Sequence, residues 1–503
     1  MSYLKRCSSI LLILLLLVSC RQDKTSHISE NSTEKTEFDD FVNEMKSKGL
    51  ATGNILVYED GEIIHQSSNG LRSINPVDSL ALDSQFRLAS VSKQFTDLAI
   101  MKLKVAGKLD YDQNVNIILN DFPYDNISVR HLLNHTSGLA DYTQLMAKHW
   151  QPADTSKTHI LGNDEVLKVF YKVNPDLDFK PNEKWEYSNT GYLVLASIVE
   201  EISGMHFREF LKKELFEPLG MKDTELYKYQ IDTDKNKPKR VFGYGLALNQ
   251  TDMINDDYNL LNDVRGDGGI YSTLKDLYTW NMALANAIVL PEDELKEAFT
   301  PGKLNNGEYY GYGFGFFIDS DQNEPLVVSH SGGWVGFATY LKNEIDAKSG
   351  YVALTNNSGE NFGSVLRAVN AIQDNKPYDL PKQSMRKIAA KTIYEDGVDE
   401  AITKYKKLKS ENSEDYFFSE GQMNRLGYEL LGEDMPDEAL KIFELSTQEY
   451  PESGNVYDSY ADALLIKGDS AKALKNFRKA FEIDSTLNFS KEKIESLEKT
   501  LSN

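Results

Sequence analysis

The stretch "FRLASVSKQFTDLAIMKLKVAGKLD", residues 86–110, reads as a short apolar strand that runs into a helix. Phe95, Leu98, Ala99, Met101 and Leu103 give the helix an apolar side, and Gly107 ends it. At the junction Ser90 and Lys93 stand three residues apart, a step that puts both side chains on one face. A helix N-terminus offers unpaired backbone N–H groups and a partial positive charge, both of which favour an oxyanion. Ser90 is therefore a candidate nucleophile, with Lys93 placed to take its proton. Ser92, two positions on, points elsewhere. The spacing alone is weak: Ser-x-x-Lys begins at Ser2, Ser32, Ser90, Ser272, Ser384, Ser490 and Ser496. Only Ser90 follows a short apolar strand and opens an amphipathic helix. Ser272 lies where Ser or Thr would cap the next helix.

Outward from this junction, "NILVYEDGEIIHQSSNG" is two apolar runs about Asp60-Gly61, a hairpin signal. Toward the other end, "YGYGFGFFI", "PLVVSH", "GFATYLKN" and "GYVALTNN" read as four strands in a row. Tyr309, Tyr310, Tyr312, Phe314, Phe316 and Phe317 alternate with glycines there and read as core strand. Antiparallel strands at both ends with helices between predict an α/β fold. Its antiparallel sheet is closed by the two ends of the region, flanked by helices, with an all-helical subdomain.

Two more stretches carry chemistry. Tyr187-Ser188-Asn189 lies in a Gly- and Asn-bearing loop before a strongly apolar helix. A phenol there can serve as general acid or base, and an amide two residues on can orient a carbonyl. His330-Ser331-Gly332 occurs once, at the end of an apolar strand, where glycines let a substrate backbone lie close to the strand edge. Trp334 either lines that pocket or fills the sheet edge. His131 and His135, four apart in "HLLNHTSGL", read as helix-end and turn residues rather than a metal pair.

Ser90-x-x-Lys93, Tyr187-x-Asn189 and His330-Ser331-Gly332, in that order, resemble the serine β-lactamase and penicillin-binding protein superfamily, and within it the class C β-lactamase-like branch. The stretches "HLLNHTSGL", "GDGGIYSTLKDLYTW" and "SHSGGWVGFATYL" resemble it too. The resemblance implies a serine hydrolase without a metal or cofactor. Ser90 would form an acyl-enzyme, and Lys93 and Tyr187 would share the proton work. Asn189, His330, Ser331 and Gly332 would bind substrate, and the backbone N–H groups of Ser90 and Gly333 would form the oxyanion hole. The branch includes esterases, D-aminopeptidases and D-alanyl-D-alanine carboxypeptidases. Its β-lactamases usually carry Lys where this chain has His330. A histidine is a weaker anchor for a carboxylate, so β-lactam hydrolysis is expected to be slow or incidental.

The bulk numbers agree with this reading. With 77 acidic against 55 basic residues the net charge is −22, which argues against a nucleic-acid surface. The only cysteines, Cys7 and Cys20, fall in the first twenty residues, so no disulfide framework or Cys-based metal site is expected. "MSYLKRCSSILLILLLLVSC" has the basic start and short apolar run of a secretory signal. Its end resembles a bacterial lipobox, with Cys20 as the lipidated residue. The boundaries read as signal 1–19, flexible tether 20–37, hydrolase region 38–375, linker 376–384 and helical repeats 385–503. Within the last, Leu430-Leu431 recurs as Leu464-Leu465, Ala439-Leu440 as Ala473-Leu474 and Phe443 as Phe477, a period of 34. This resembles the tetratricopeptide repeat, with a partial copy at Asp396 to Tyr405 and "KEKIESLEKTL" as a capping helix. The repeats serve either as a groove for a protein or peptide partner or as a prop for the hydrolase region.

The expected protein is thus a lipid-anchored, extracytoplasmic bacterial serine hydrolase acting on a D-amino peptide, ester or amide. Two rival readings stand beside it. One is a slowly acylating or non-catalytic binder of penicillin or cell-wall fragments; the other is a scaffold acting through its repeats.

Overall fold

The two ends of the hydrolase region meet in one sheet. The structure, a computed structural model, describes residues 37–50, 52–151, 160–228, 237–319, 325–358, 361–411 and 414–501. The expected signal segment, Cys20 and the tether up to residue 36 lie outside the described residues. The elements that frame the site are helix α1 (Glu37–Ser47), strands β1 (Gly53–Glu59) and β2 (Glu62–Asn69), and helices α2 (Lys93–Val105), α3 (Asn189–Ser203) and α4 (Leu274–Ala285). Strands β3 (Phe317–Asp319), β4 (Val327–Trp334), β5 (Phe337–Glu344) and β6 (Ser349–Thr355) and helix α5 (Phe362–Gln373) follow. The sheet order is β3-β4-β5-β6-β1-β2, with every pairing antiparallel. The β1–β6 pair, with Leu56 opposite Val352, joins the two ends.

Side-chain alternation along the strands divides the core in two. Val57, Tyr351 and Ala353 point to one face and pack under α1 and α5 with Phe41, Val365 and Val369. Leu56, Tyr58, Val352 and Leu354 point to the other, toward Phe95, Leu98 and Trp280. The β1–β2 turn places Asp60 and Gly61 at φ 49° and 79°, the left-handed pair that a tight two-residue hairpin demands.

Two expectations need correction. Helix α2 is not one-sided. It is buried almost all round, and its polar side chains find partners inside, with Asp97 Oδ1 alone left over. Trp280 Nε1 donates to Gln94 Oε1 (2.9 Å) and Thr96 Oγ1 donates to the Gly266 carbonyl (2.6 Å). The run "YGYGFGFFI" is not one strand. Tyr309–Tyr310 pairs with Gly302–Lys303, and only Phe317–Asp319 enters the large sheet. Between them the chain coils tightly against its neighbours. A Cβ on Gly313 would lie 1.9 Å from the Ala298 carbonyl oxygen, and one on Gly315 would lie 2.2 Å from Asp97 Oδ2. Tyr312, Phe314 and Phe316 are buried there, whereas Tyr309 is exposed.

Beyond residue 384 the described chain is helical apart from a two-residue strand. Helices α6 (Met385–Asp396), α7 (Val398–Ser410), α8 (Glu420–Gly432), α9 (Pro436–Glu449), α10 (Gly454–Ile466), α11 (Ser470–Ile483) and α12 (Asn488–Leu501) follow one another. The helix starts at 420 and 454, and at 436 and 470, repeat the 34-residue spacing. Leu430 and Leu464, Ala439 and Ala473, and Phe443 and Phe477 all enter one core. The turns after α8 and α10 place Asp434 and Gly468 at φ 59° and 81°, so one backbone shape serves both copies. Gln383–Ser384, at the end of the linker, pairs in parallel with Tyr416–Phe417, and Leu248 packs against the helical core. Among the described residues no helix is long and apolar enough to cross a membrane.

The repeat packing gives one test. The Phe443 ring lies 2.3 Å from where a Cβ on Gly427 would sit. Gly427→Val should therefore lower the unfolding free energy by about 1–3 kcal/mol through overpacking, read by denaturant unfolding. An unchanged midpoint would mean that the ring moves aside freely.

Candidate active site

The nucleophile candidate sits on a strained turn. Phe86–Arg87 pairs with Ile270–Ser272, and the chain then turns through Ala89–Ser92 before α2 begins at Lys93. Ser90 thus lies in a 3₁₀ turn ahead of the helix, one step earlier than the sequence suggests. Ala89 adopts φ 48°, a left-handed conformation that alanine takes only when its surroundings impose it. Those surroundings are β4 and β5. Thr339 Oγ1 donates to the Leu88 carbonyl (2.7 Å). A Cβ on Gly332 would lie 2.1 Å from that same carbonyl oxygen and 3.1 Å from the Ser90 nitrogen. Glycine at 332 is what lets the strand press against the turn. Ser92 faces away, its Oγ accepting from the Ile270 N–H (3.3 Å).

Lys93 is fully buried. Its Nζ donates to Ser90 Oγ (3.1 Å), Asn189 Oδ1 (2.8 Å) and the Asp267 carbonyl (3.0 Å). An ammonium has three N–H donors, and three acceptors surround this one. The Nζ also lies 4.9 Å from the Tyr187 ring centroid and 5.3 Å from that of Tyr192. Asn189 opens α3, whose N-terminus is capped by Ser188 Oγ accepting from the Gly191 N–H (3.2 Å). The Asp267 carbonyl reaches Nζ because Gly266 takes φ 104° and carries no Cβ, which would fall 2.1 Å from the Tyr192 carbonyl oxygen. The other Ser-x-x-Lys serines described in mixed or linker regions do something else. Ser272 Oγ pairs with Thr224 Oγ1 (2.7 Å), while Thr273 caps α4; Ser384 caps α6.

Tyr187 stands beside this cluster, its Oη buried and without a hydrogen-bond partner. Its ring packs on the His135 imidazole at 4.3 Å. His135 Nδ1 accepts from the Ser188 N–H (3.0 Å), which places the proton on Nε2. His131, by contrast, closes a helix N-terminus, its Nδ1 accepting from the Ser128 N–H (3.1 Å). The pair therefore splits: one histidine is a cap, and the other forms part of the site's aromatic wall.

The third stretch divides by strand alternation. Ser331 and Gly333 are exposed, while His330 and Gly332 face inward. Gly333 and Trp334 line the cleft at Ser90, together with Arg87, Tyr142, Asn189 and Gly268. His330 is placed otherwise than expected for a substrate contact. It is 1% exposed and lies behind the cleft. Its Nδ1–H donates to the Ser331 carbonyl (2.6 Å), which leaves Nε2 to accept from Tyr312 Oη–H (3.1 Å). Burial, helped by the nearby Lys93 charge, pushes its pKa down to about 3, so the imidazole is neutral. Behind it, Tyr192 Oη donates to Asp97 Oδ2 (2.7 Å), and burial holds that carboxyl well above the usual range. Trp334 lines the cleft with its Nε1–H fixed on Asn262 Oδ1 (2.7 Å). Sequence reasoning missed the Asp267 carbonyl, the wall made by His135 and Tyr312, and Arg87. The glycines of "GDGG" were the one local sign of the first.

The His330 geometry fixes a pH dependence. An unfolded histidine takes up a proton below about pH 6.5, whereas the folded one resists down to about 3. In that window the unfolded state binds more protons, so stability must fall as pH falls. Wild type should lose up to about 1.4 kcal/mol per pH unit more than His330→Gln between pH 6 and 4, read by urea unfolding. Equal slopes would show that the folded imidazole takes a proton.

The profile of the β-lactamase family matches residues 38–375. Penicillin-binding protein 4* of Bacillus subtilis (strain 168) is 33% identical over 379 residues, which cover 72% of this chain and 79% of the relative. A penicillin-binding protein from Bacillus halodurans superposes with a TM-score of 0.57 at 25% identity, over 66% of this chain and 98% of that one. The D-amino acid amidase from Ochrobactrum anthropi SV3 superposes with a TM-score of 0.53 over 67% and 96% of the two chains; at 22% identity the likeness is one of fold. The ordered motifs, the sheet closed by its two ends and the family match over most of the chain lead to one conclusion: the chain belongs to the β-lactamase family of serine hydrolases.

Proposed function

We propose that the protein hydrolyses a D-amino peptide, ester or amide through an acyl-enzyme on Ser90, with at most weak action on β-lactams. The observation that carries this reading is the Lys93 Nζ, buried, 3.1 Å from Ser90 Oγ and held from its other sides by Asn189 Oδ1 and the Asp267 carbonyl. In the amine form Nζ accepts the Ser90 hydroxyl proton as Oγ bonds to the substrate carbonyl carbon. The oxyanion forms between the backbone N–H groups of Ser90 and Gly333. Tyr187 Oη, which has no protein partner, donates a proton to the leaving group as its bond to carbon breaks, and is restored from Lys93. Water then enters by the same steps in reverse. Asn189 orients the acyl side, and Ser331 offers a hydroxyl along the strand edge. Gly332 shapes the site by keeping β4 against the nucleophile turn. The neutral, buried His330 supplies no fixed charge for the carboxylate of a β-lactam, which supports weak lactamase action.

The class C-like branch, the lipid anchor at Cys20 with an extracytoplasmic location in the bacterial envelope, and a tetratricopeptide character for residues 385–503 with a protein or peptide partner belong to the same proposal. The motif order, the lipobox-like end of the first twenty residues and the 34-residue period support them. A second reading, a slowly acylating penicillin binder, is favoured by the 33% identical relative, itself named a penicillin-binding protein.

A fluorophosphonate probe and a fluorescent penicillin, applied to wild type and Ser90→Ala, separate these readings. Fluorophosphonate labelling should occur and vanish in Ser90→Ala. Its absence from wild type would sink the hydrolase. Penicillin label that forms on Ser90 and is never released, with no ester turnover, would favour the binder.

A further inference from the structure

The cleft at Ser90 contains a cation that none of the three motifs accounts for. Arg87 stands three residues before Ser90 on the short strand Phe86–Arg87, and its side chain lines the cleft together with Ser90, Gly333 and Trp334. It is 4% exposed. Its Nη2 donates to the Asn262 carbonyl (3.2 Å), yet its Nε is buried and has no hydrogen-bond partner. The guanidinium carbon lies 5.9 Å from the Trp334 ring centroid. Among the described residues no carboxylate forms an ion pair with it. The acid that feels its field is Asp267, but an oxygen of that carboxyl is taken by Tyr142 Oη (2.9 Å), and burial pushes the group up toward its neutral form.

An arginine keeps its proton under all ordinary conditions, so this is a permanent charge. Burying a charge without a partner is costly, and so is leaving a buried donor unpaired. The bond to the Asn262 carbonyl uses one of the five guanidinium donors. A permanent charge with a free donor beside it suits an anion within the cleft. A carboxylate matches in charge and shape, because its two oxygens fit the planar guanidinium fork. His330, by contrast, is buried, is held between Tyr312 and the Ser331 carbonyl, and is not among the residues that line the cleft.

We infer that Arg87 is a specificity-determining residue that anchors a free carboxylate of the substrate beside Ser90. The inference rests on the reading that the Ser90 cleft receives the substrate. It moves the fixed positive charge from the third motif, where the resemblance places a lysine, to the strand that leads into the first.

Two ester pairs test it on the full chain. 4-Nitrophenyl hydrogen glutarate and its methyl ester differ by a carboxylate on the acyl side. The 3-carboxyphenyl and phenyl esters of N-acetyl-D-alanine differ by one on the leaving group. Wild type should prefer the acid in at least one pair by about tenfold or more in kcat/KM, the range of a charged hydrogen bond. Arg87→Gln should bring that ratio to parity, and Arg87→Lys, which keeps the charge and loses the fork, should leave an intermediate ratio. Thermal melts verify that each variant folds. A second readout needs no variant. The acid-to-neutral ratio should stay flat from about pH 6 to 9, because a guanidinium does not titrate there. Tyr142 and Asp267 also line the cleft and Lys93 stands beside it; Arg87→Gln keeps all three, so any part of the ratio that they set appears in that variant's own pH profile. Titration of the same esters into Ser90→Ala reads the preference as dissociation constants, without turnover. Parity in both wild-type pairs, a preference that Arg87→Gln leaves intact, or one that collapses through the histidine range would each overturn the assignment. Failure of the hydrolase reading looks different: none of the four esters is cleaved and no fluorophosphonate reacts, while calorimetry still reports whether Arg87 selects the acids.

Discussion

Lys93 is the point on which the site's geometry depends. A lysine nitrogen with no exposure to water needs acceptors, and each of its three comes from a different part of the chain: Ser90, Asn189 and Asp267. Asn189 opens the long apolar helix α3, and Asp267 sits in the glycine-flanked loop before α4. Satisfying one buried charge therefore holds three segments in register. Helix α2 carries Asp97 one turn beyond Lys93, and that carboxyl is met by Tyr192 of α3. The most buried helix of the fold thus bears polar groups whose partners lie on its neighbours, and the packing of α2 and the shape of the site are one problem.

A second constraint is steric. The turn that carries Ser90 holds an alanine at positive φ, and β4 presses on it through Gly332. Strain at such a turn persists only where the surroundings over-determine it. Here they do so from two strands, by the absence of a side chain on one and by the Thr339 hydroxyl on the other.

Much of this was legible in the sequence, and the exceptions are instructive. The hairpin at Asp60-Gly61, the strand runs at both ends of the hydrolase region and the order of the three motifs could be read because they are local patterns. Asp267, His135 and Arg87 could not be recognised as part of the site, since each joins it through contacts made only in three dimensions. His135 meets Ser188 from 53 residues away, and Asp267 meets Lys93 from 174. The orientation of His330 was half legible. Val328 is buried, and a period of two puts His330 on the same side. The run about Tyr312 misled because its glycines looked like strand punctuation, when they mark places where backbone meets backbone. For α2, polar residues suggested a solvent face; a single sequence could not show that Trp280 and Gly266 supply their partners.

The alternation of β4 has a consequence for how this cleft can discriminate. The side of the strand that faces outward presents a serine and a glycine, little more than main chain. On the proposed reading, in which substrate lies along this strand, such a main-chain rail would read the length, direction and handedness of an extended ligand and be almost blind to the identity of its side groups. Side-chain chemistry comes instead from the Trp334 indole and the groups that line the cleft with it, Arg87, Tyr142 and Asn189 among them. On that reading, substrate preference would drift through the cleft-lining side chains, while the strand and the Ser90 turn it presses on stay untouched.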